Sequence, residues 1–161
     1  MLTEFDNMPD NARLWIYQAD RPLNEDELSL VKKHIKHFLS QWQAHDQDLK
    51  SAFKIEHNQF LIISVDESFS RVSGCSIDSS VHLIRSLEKE LSLSFMTTDC
   101  VAFLLGGEVK LLPFNMLKEK TALQLIKPET KVFDNTVKNV AEFRQKWLIP
   151  SSETWVNRYF K

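Results

Sequence analysis

Stretches that are apolar on both faces alternate along the chain with stretches carrying one apolar stripe, and this alternation predicts the elements. Residues 13–19 (RLWIYQA) are apolar at odd and even positions alike, as in a strand buried on both sides. PLNEDEL then signals a helix start, with Asn24 as N-cap, Glu27 closing a capping box and Leu23 stapling onto Leu28. Leu28, Val31, Ile35, Phe38, Leu39 and Trp42 form one continuous apolar face, which predicts a helix to about residue 44. SAFKIEHNQFLIISVD reads as a hairpin turning at His57-Asn58. Its first arm alternates like an edge strand, and its second arm, 60–65, is apolar on both faces like a central one.

A second helix is predicted on Ile77, Val81, Ile84 and Leu91, with Leu87 flanking. CVAFLLGGEVKLLPF follows as two strands joined by Gly106-Gly107, a two-residue hairpin signal. The order is β-α-β-β-α-β plus one strand, so the expected fold class is α+β. The arrangement expected is a ferredoxin-like sheet extended by the extra hairpin strand, in the order 5-4-1-3-2. Two helices would cover one sheet face only. The last third would cover the other, with a helix near 114–125, a short strand at KVFDN, a helix near 138–147 and the tail SSETWVNRYF. The expectation is one domain over 1–161, a core of 1–113 and a C-terminal α-rich extension of 114–161 packing on the sheet.

Composition narrows the function classes. The chain has 161 residues, 43% hydrophobic and 26% charged, with eleven phenylalanines and four tryptophans, enough to bury a full core. Its net charge is −2 with dispersed lysines and arginines, which argues against nucleic acid as a partner because that needs a basic stripe. No apolar run approaches the ~18 residues of a membrane span, so no membrane insertion is expected. MLTEFDNMPDNAR lacks the apolar core of a signal peptide. Two cysteines without a secretion signal suggest thiols in a reducing, cytoplasmic setting.

RLWIYQADRPL, SGCSID, KVFDN and PSSETW occur in that order across nearly the whole chain. Together they resemble a family of small bacterial proteins often labelled "ABC transporter ATPase". ATP hydrolysis of that type needs a GxxxxGK[ST] loop whose N–H groups cradle phosphates. The three glycines here form no such loop, GGEVK sits in a hairpin, and no LSGGQ-like segment is present. The resemblance therefore supplies no catalytic residues and no nucleotide cofactor.

The most suggestive stretch is SGCSIDSSVHLI, residues 73–84. Cys75 is the candidate nucleophile. Ser73, Gly74, Cys75, Ser76 and Asp78 are candidate ligand contacts, because the positive end of a helix lowers a thiol pKa and offers N–H groups to an anion. His82 lies on the same helical face but ~10 Å along the axis, beyond the ~3 Å reach of a general base. Asp78 would raise the thiol pKa. The plainer reading makes Gly74 a turn, Ser76 or Asp78 the N-cap, and Cys75 a small buried hydrophobe. Cys75 and Cys100 would lie at opposite sheet ends, ~15–20 Å apart, too far for a disulfide.

Asp20 and Arg21, at the end of the first strand, are a second candidate site for an anionic ligand. His57, Asp99 and Cys100 are expected at the same edge. A local Asp–Arg pair shaping the turn is the plainer account. His34 and His37 have metal-compatible spacing but no third ligand beside them, so no metal and no cofactor are expected. Trp155, Tyr159 and Phe160 would either close the uncovered sheet face or, if exposed, anchor a partner.

Two functions of different class follow. One is a cytoplasmic, non-enzymatic module binding a protein or a small anionic ligand. The other is a thiol-dependent enzyme or redox sensor using Cys75.

Overall fold

The computed structural model describes residues 1–160. It is a mixed α+β protein with open antiparallel sheets. The chain divides into two compact units, Met1–Thr97 with Lys138–Ala141, and Thr98–Val137 with Glu142–Lys161. No helix among the described residues is long and apolar enough to cross a membrane.

The first unit contains β1 (Arg13–Gln18), α1 (Glu25–Gln41), a small hairpin of β2 (Gln43–Ala44) and β3 (Gln47–Asp48), β4 (Ser51–Glu56), β5 (Phe60–Val65) and α2 (Gly74–Leu91). β5 is the centre of a three-stranded sheet in the order β1-β5-β4. Both neighbours run antiparallel to it, Arg13 to Gln18 opposite Val65 to Phe60 and Ser51 to Glu56 opposite the same strand. All six residues of β5 are buried, as its apolar faces require. His57 and Asn58 take left-handed φ of 52° and 54° in the three-residue loop that joins Glu56 to Phe60.

α1 starts as its sequence dictates. Asn24 accepts the Glu27 N–H at 2.9 Å, and the Glu27 carboxylate accepts the Asn24 N–H at 3.0 Å. Val31, Ile35 and Leu39 are fully buried, with Leu28 and Phe38 packed against the same core. The helix ends at Gln41 rather than near 44. Trp42 caps it, and its indole N–H donates to the Ser76 carbonyl at 2.9 Å. The chain then turns back through His45 and Asp46, at φ of 51° and 61°.

α2 faces the core differently from the expectation. Its buried stripe is Ser76, Ser80, Ile84 and Leu87, while Ile77, Val81 and Leu91 are only half-buried. The hydroxyls make this possible. Ser76 Oγ accepts the Ser73 N–H and donates to the Ser73 carbonyl, and Ser80 Oγ donates to Ile77 at 2.6 Å. Each serine is thus satisfied within its own helix and can be buried at little penalty.

The second unit contains β6 (Cys100–Leu105), β7 (Glu108–Pro113), α3 (Leu117–Ala122), β8 (Lys131–Phe133), the later residues of α4 (Val140–Lys146) and β9 (Leu148–Pro150). Its sheet runs β7-β6-β8-β9, antiparallel throughout. Gly106 and Gly107 make the β6–β7 turn at φ of +58° and +80°, where a side chain would be strained.

This arrangement corrects the expected five-stranded order. The first, third and second expected strands do pair in that order, as β1, β5 and β4, but 100–105 does not take the place beside β1. It pairs instead with β7 and β8. Two apolar faces and two hydrogen-bonded edges mark a central strand, and β6 is central within its own sheet. Among the described residues the outer edge of β1 carries single bridges, Gln18 to Met96 and Arg13 to Asn139.

Val101, Phe103, Leu117, Ile126, Val132 and Val156 form the core of the second unit. The C-terminal tail is two 3-10 turns, Ser151–Glu153 and Trp155–Tyr159. It closes a sheet face, but the face belongs to the second unit's sheet.

Candidate functional site

The start of α2 is built by hydroxyls. Ser73 is the N-cap, not Ser76 or Asp78, and Gly74 is the first helical residue rather than a turn. Ser73 Oγ accepts the Ser76 N–H at 3.1 Å, and Ser76 Oγ accepts the Ser73 N–H at 2.8 Å. Both candidate ligand serines are therefore engaged in the capping box, and Ser76 is buried. Asp78 is exposed on the first turn.

Cys75 is exposed, not buried as the plainer reading expected. The buried stripe runs through Ser76 and Ser80, which turns position 75 outward. His82 is also exposed on α2. Cys75 and Cys100 are both thiols.

At the end of β1, Arg21 is tied up. Its guanidinium donates to both Glu27 oxygens at 2.8 and 2.7 Å and to the Leu91 carbonyl at 2.9 Å. Arg21 thus joins the first turn of α1 to the last turn of α2, and the expected Asp20–Arg21 pair gives way to Arg21–Glu27. Asp20 accepts the Ser94 N–H at 3.2 Å. The Arg21 hydrogen bonds, then the Asn24 N–H, hold the Glu27 carboxyl at about 2. The guanidinium therefore has little left to offer an anion.

Of the residues expected at this edge, His57 belongs to the first unit, and Asp99 and Cys100 belong to the second. His57 stands edge-on to Phe60. Burial first, and then the neighbouring Asp99 charge, push the Cys100 thiol up. His34 lies 3.7 Å from Glu90, and His37 is exposed. Among the described residues no group of three His, Cys, Asp or Glu side chains is placed to hold a metal.

Two of the three C-terminal aromatics, Tyr159 and Phe160, line a groove in the second unit. Phe114 lies 5.6 Å from Trp155, and Trp155 is 6.4 Å from Tyr159. Arg158 covers both rings, 5.4 Å from Trp155 and 5.8 Å from Tyr159, as a cation on aromatic faces. Tyr159 and Phe160 line a groove of about 590 Å³ together with Lys118, Thr121 and Ala122 of α3, Gln124, and residues 126–129. That volume is typical of sites for small or medium ligands. Ile126 gives it an apolar base anchored in the core.

The segment after α3 shapes one side of the groove. The Leu125 N–H donates to Lys120 and the Gln124 N–H to Thr121, the two bonds of a Schellman cap. Gln124 takes the left-handed position at φ 59°, where glycine is usual. The cap turns Leu123 and Leu125 into solvent, 60% and 55% exposed. Sequence reasoning singled out Tyr159 and Phe160 but missed residues 118–129. Leu123 and Leu125 read there as part of a helix, and no glycine marked the helix end.

No protein-family model, curated protein or solved structure matches the chain.

Proposed function

We propose that this chain is a non-enzymatic binding module and that its ligand sits in the groove between α3 and the C-terminal aromatics. One observation carries the reading. A groove of about 590 Å³ opens beside two leucines more than half exposed, a place where apolar surface remains to be covered. The four resembling motifs support grouping the chain with the small bacterial proteins named above. The absence of a GxxxxGK[ST] loop supports a function other than ATP hydrolysis. A cytoplasmic location belongs to the same reading.

The test is photo-crosslinking in cells with benzoylphenylalanine placed at Ala122 in the groove or at His82 on α2. A discrete adduct from the Ala122 variant alone is the expected result. Adducts from both variants alike, or from neither, overturn the reading.

A second reading, a redox-sensing or otherwise thiol-dependent role for Cys75, is favoured by the exposure of that thiol on the first turn of α2. It predicts loss of function in Cys75→Ser with the fold intact.

A further inference from the structure

We propose that the occupant of the α3 groove is an acidic polypeptide segment bearing bulky apolar side chains, contributed by a partner protein. The inference rests on the groove being the binding site and names the chemistry that fills it.

Charge is distributed unevenly around the groove. Segments 117–131 and 155–160 carry five cations and two anions, while the remainder of the chain carries fifteen cations and twenty anions. The groove is a basic island on an acidic protein, and such an island attracts and orients an acidic partner. Two of these cations, Lys118 and Lys127, line the groove. Neither has an ion-pair partner among the described residues. Glu129 also lines the groove, so its lining carries two cations against one anion.

Size separates a polypeptide from a small anion. Leu123 and Leu125 lie outside the groove lining yet are 60% and 55% exposed, and Phe114 is 44% exposed. A small anion held by Lys118 and Lys127 leaves all three bare. A polypeptide that places carboxylates against the lysines and apolar side chains on Tyr159 and Phe160 continues over the leucines. Aromatic and aliphatic anchors with a charged rim are the usual anatomy of such a contact.

The test is fluorescence anisotropy with four defined probes. These are a fluorescein-labelled peptide of glutamates with leucine and tryptophan at i and i+4, its lysine counterpart, a single-stranded oligonucleotide and phosphatidylserine vesicles. The glutamate peptide is expected to bind best. Its affinity should fall about tenfold or more in Lys118→Glu/Lys127→Glu, from the two reversed charges. It should fall similarly in Leu123→Ser/Leu125→Ser, and stay unchanged in Lys32→Glu on α1. Equal binding of the lysine peptide overturns the inference, as does preferential binding of the oligonucleotide or the vesicles. A concentration-dependent dimer that Leu123→Ser/Leu125→Ser abolishes also overturns it, by assigning the surface to a second copy. Failure of the glutamate peptide while the Ala122 variant still crosslinks in cells refutes the acidic-peptide assignment and leaves the binding-module reading standing. Failure of both removes both.

Discussion

The Arg21 guanidinium holds both carboxylate oxygens of Glu27, at 2.8 and 2.7 Å, while the same carboxylate accepts the Asn24 N–H that opens α1. Capping box, ion pair and the Leu91 contact at the end of α2 thus meet on two side chains. The geometry is bidentate, but Arg21 is 43% and Glu27 14% exposed, so solvent screens the pair. Its contribution to stability is correspondingly modest.

The sign of its pH dependence follows from the direction of the shift. Glu27 titrates at about 2 in the folded protein against 4.5 for the ordinary group, so folding favours its charged form. The stabilisation is complete above an ordinary carboxyl pKa and is lost as pH falls from about 5 towards 2. Glu27→Gln should therefore lower stability at pH 7, and the gap from wild type should be much narrower at pH 2.5. Urea unfolding at the two pH values measures it.

The Trp42 indole ties the end of α1 to the first turn of α2 through the Ser76 carbonyl. Trp42→Phe keeps most of the ring's apolar contact and removes the donor, so the buried carbonyl loses its indole partner. The expected loss is about 1–2 kcal/mol, read from thermal or urea unfolding. Ser73→Ala removes the cap at the same turn and should cost about 1 kcal/mol.

Gln124 occupies a left-handed position at the end of α3. Gln124→Gly relieves the Cβ strain, partly offset by the greater freedom of glycine in the unfolded chain. A net gain of about 0.5–1 kcal/mol in unfolding free energy is expected.

The two thiols should separate chemically. Cys75 is exposed, whereas Cys100 is half-buried and raised by burial and by Asp99. Iodoacetamide at pH 8 should modify Cys75 first in the native protein, with Cys100 following slowly. Peptide mass mapping over time distinguishes the sites, and faster labelling of Cys100 contradicts the assignment.

Local chemistry was the legible part of this sequence. Asn24 with Glu27, Gly106-Gly107 and His57-Asn58 each announce an element through a few neighbouring atoms, and each forms as read. Partner choice was not legible. The apolar faces of 100–105 require two neighbouring strands, yet they do not distinguish β1 from the three-residue strand at Lys131–Phe133. The hairpin through His45-Asp46 carries no glycine to mark it. The buried stripe of α2 was hidden because Ser76 and Ser80 read as polar until their own backbone satisfies them. The groove joins residues 118–129 to Tyr159 and Phe160 across a long sequence gap, and only half of it had a signal.

The central claim is where a ligand binds, and amide chemical shifts of the ¹⁵N-labelled chain titrated with the glutamate peptide test it most directly. The account predicts that the largest shifts fall on residues 118–129 and 159–160, with the amides of residues 73–78 unmoved. Shifts concentrated at 73–78, with the groove amides unchanged, would contradict it.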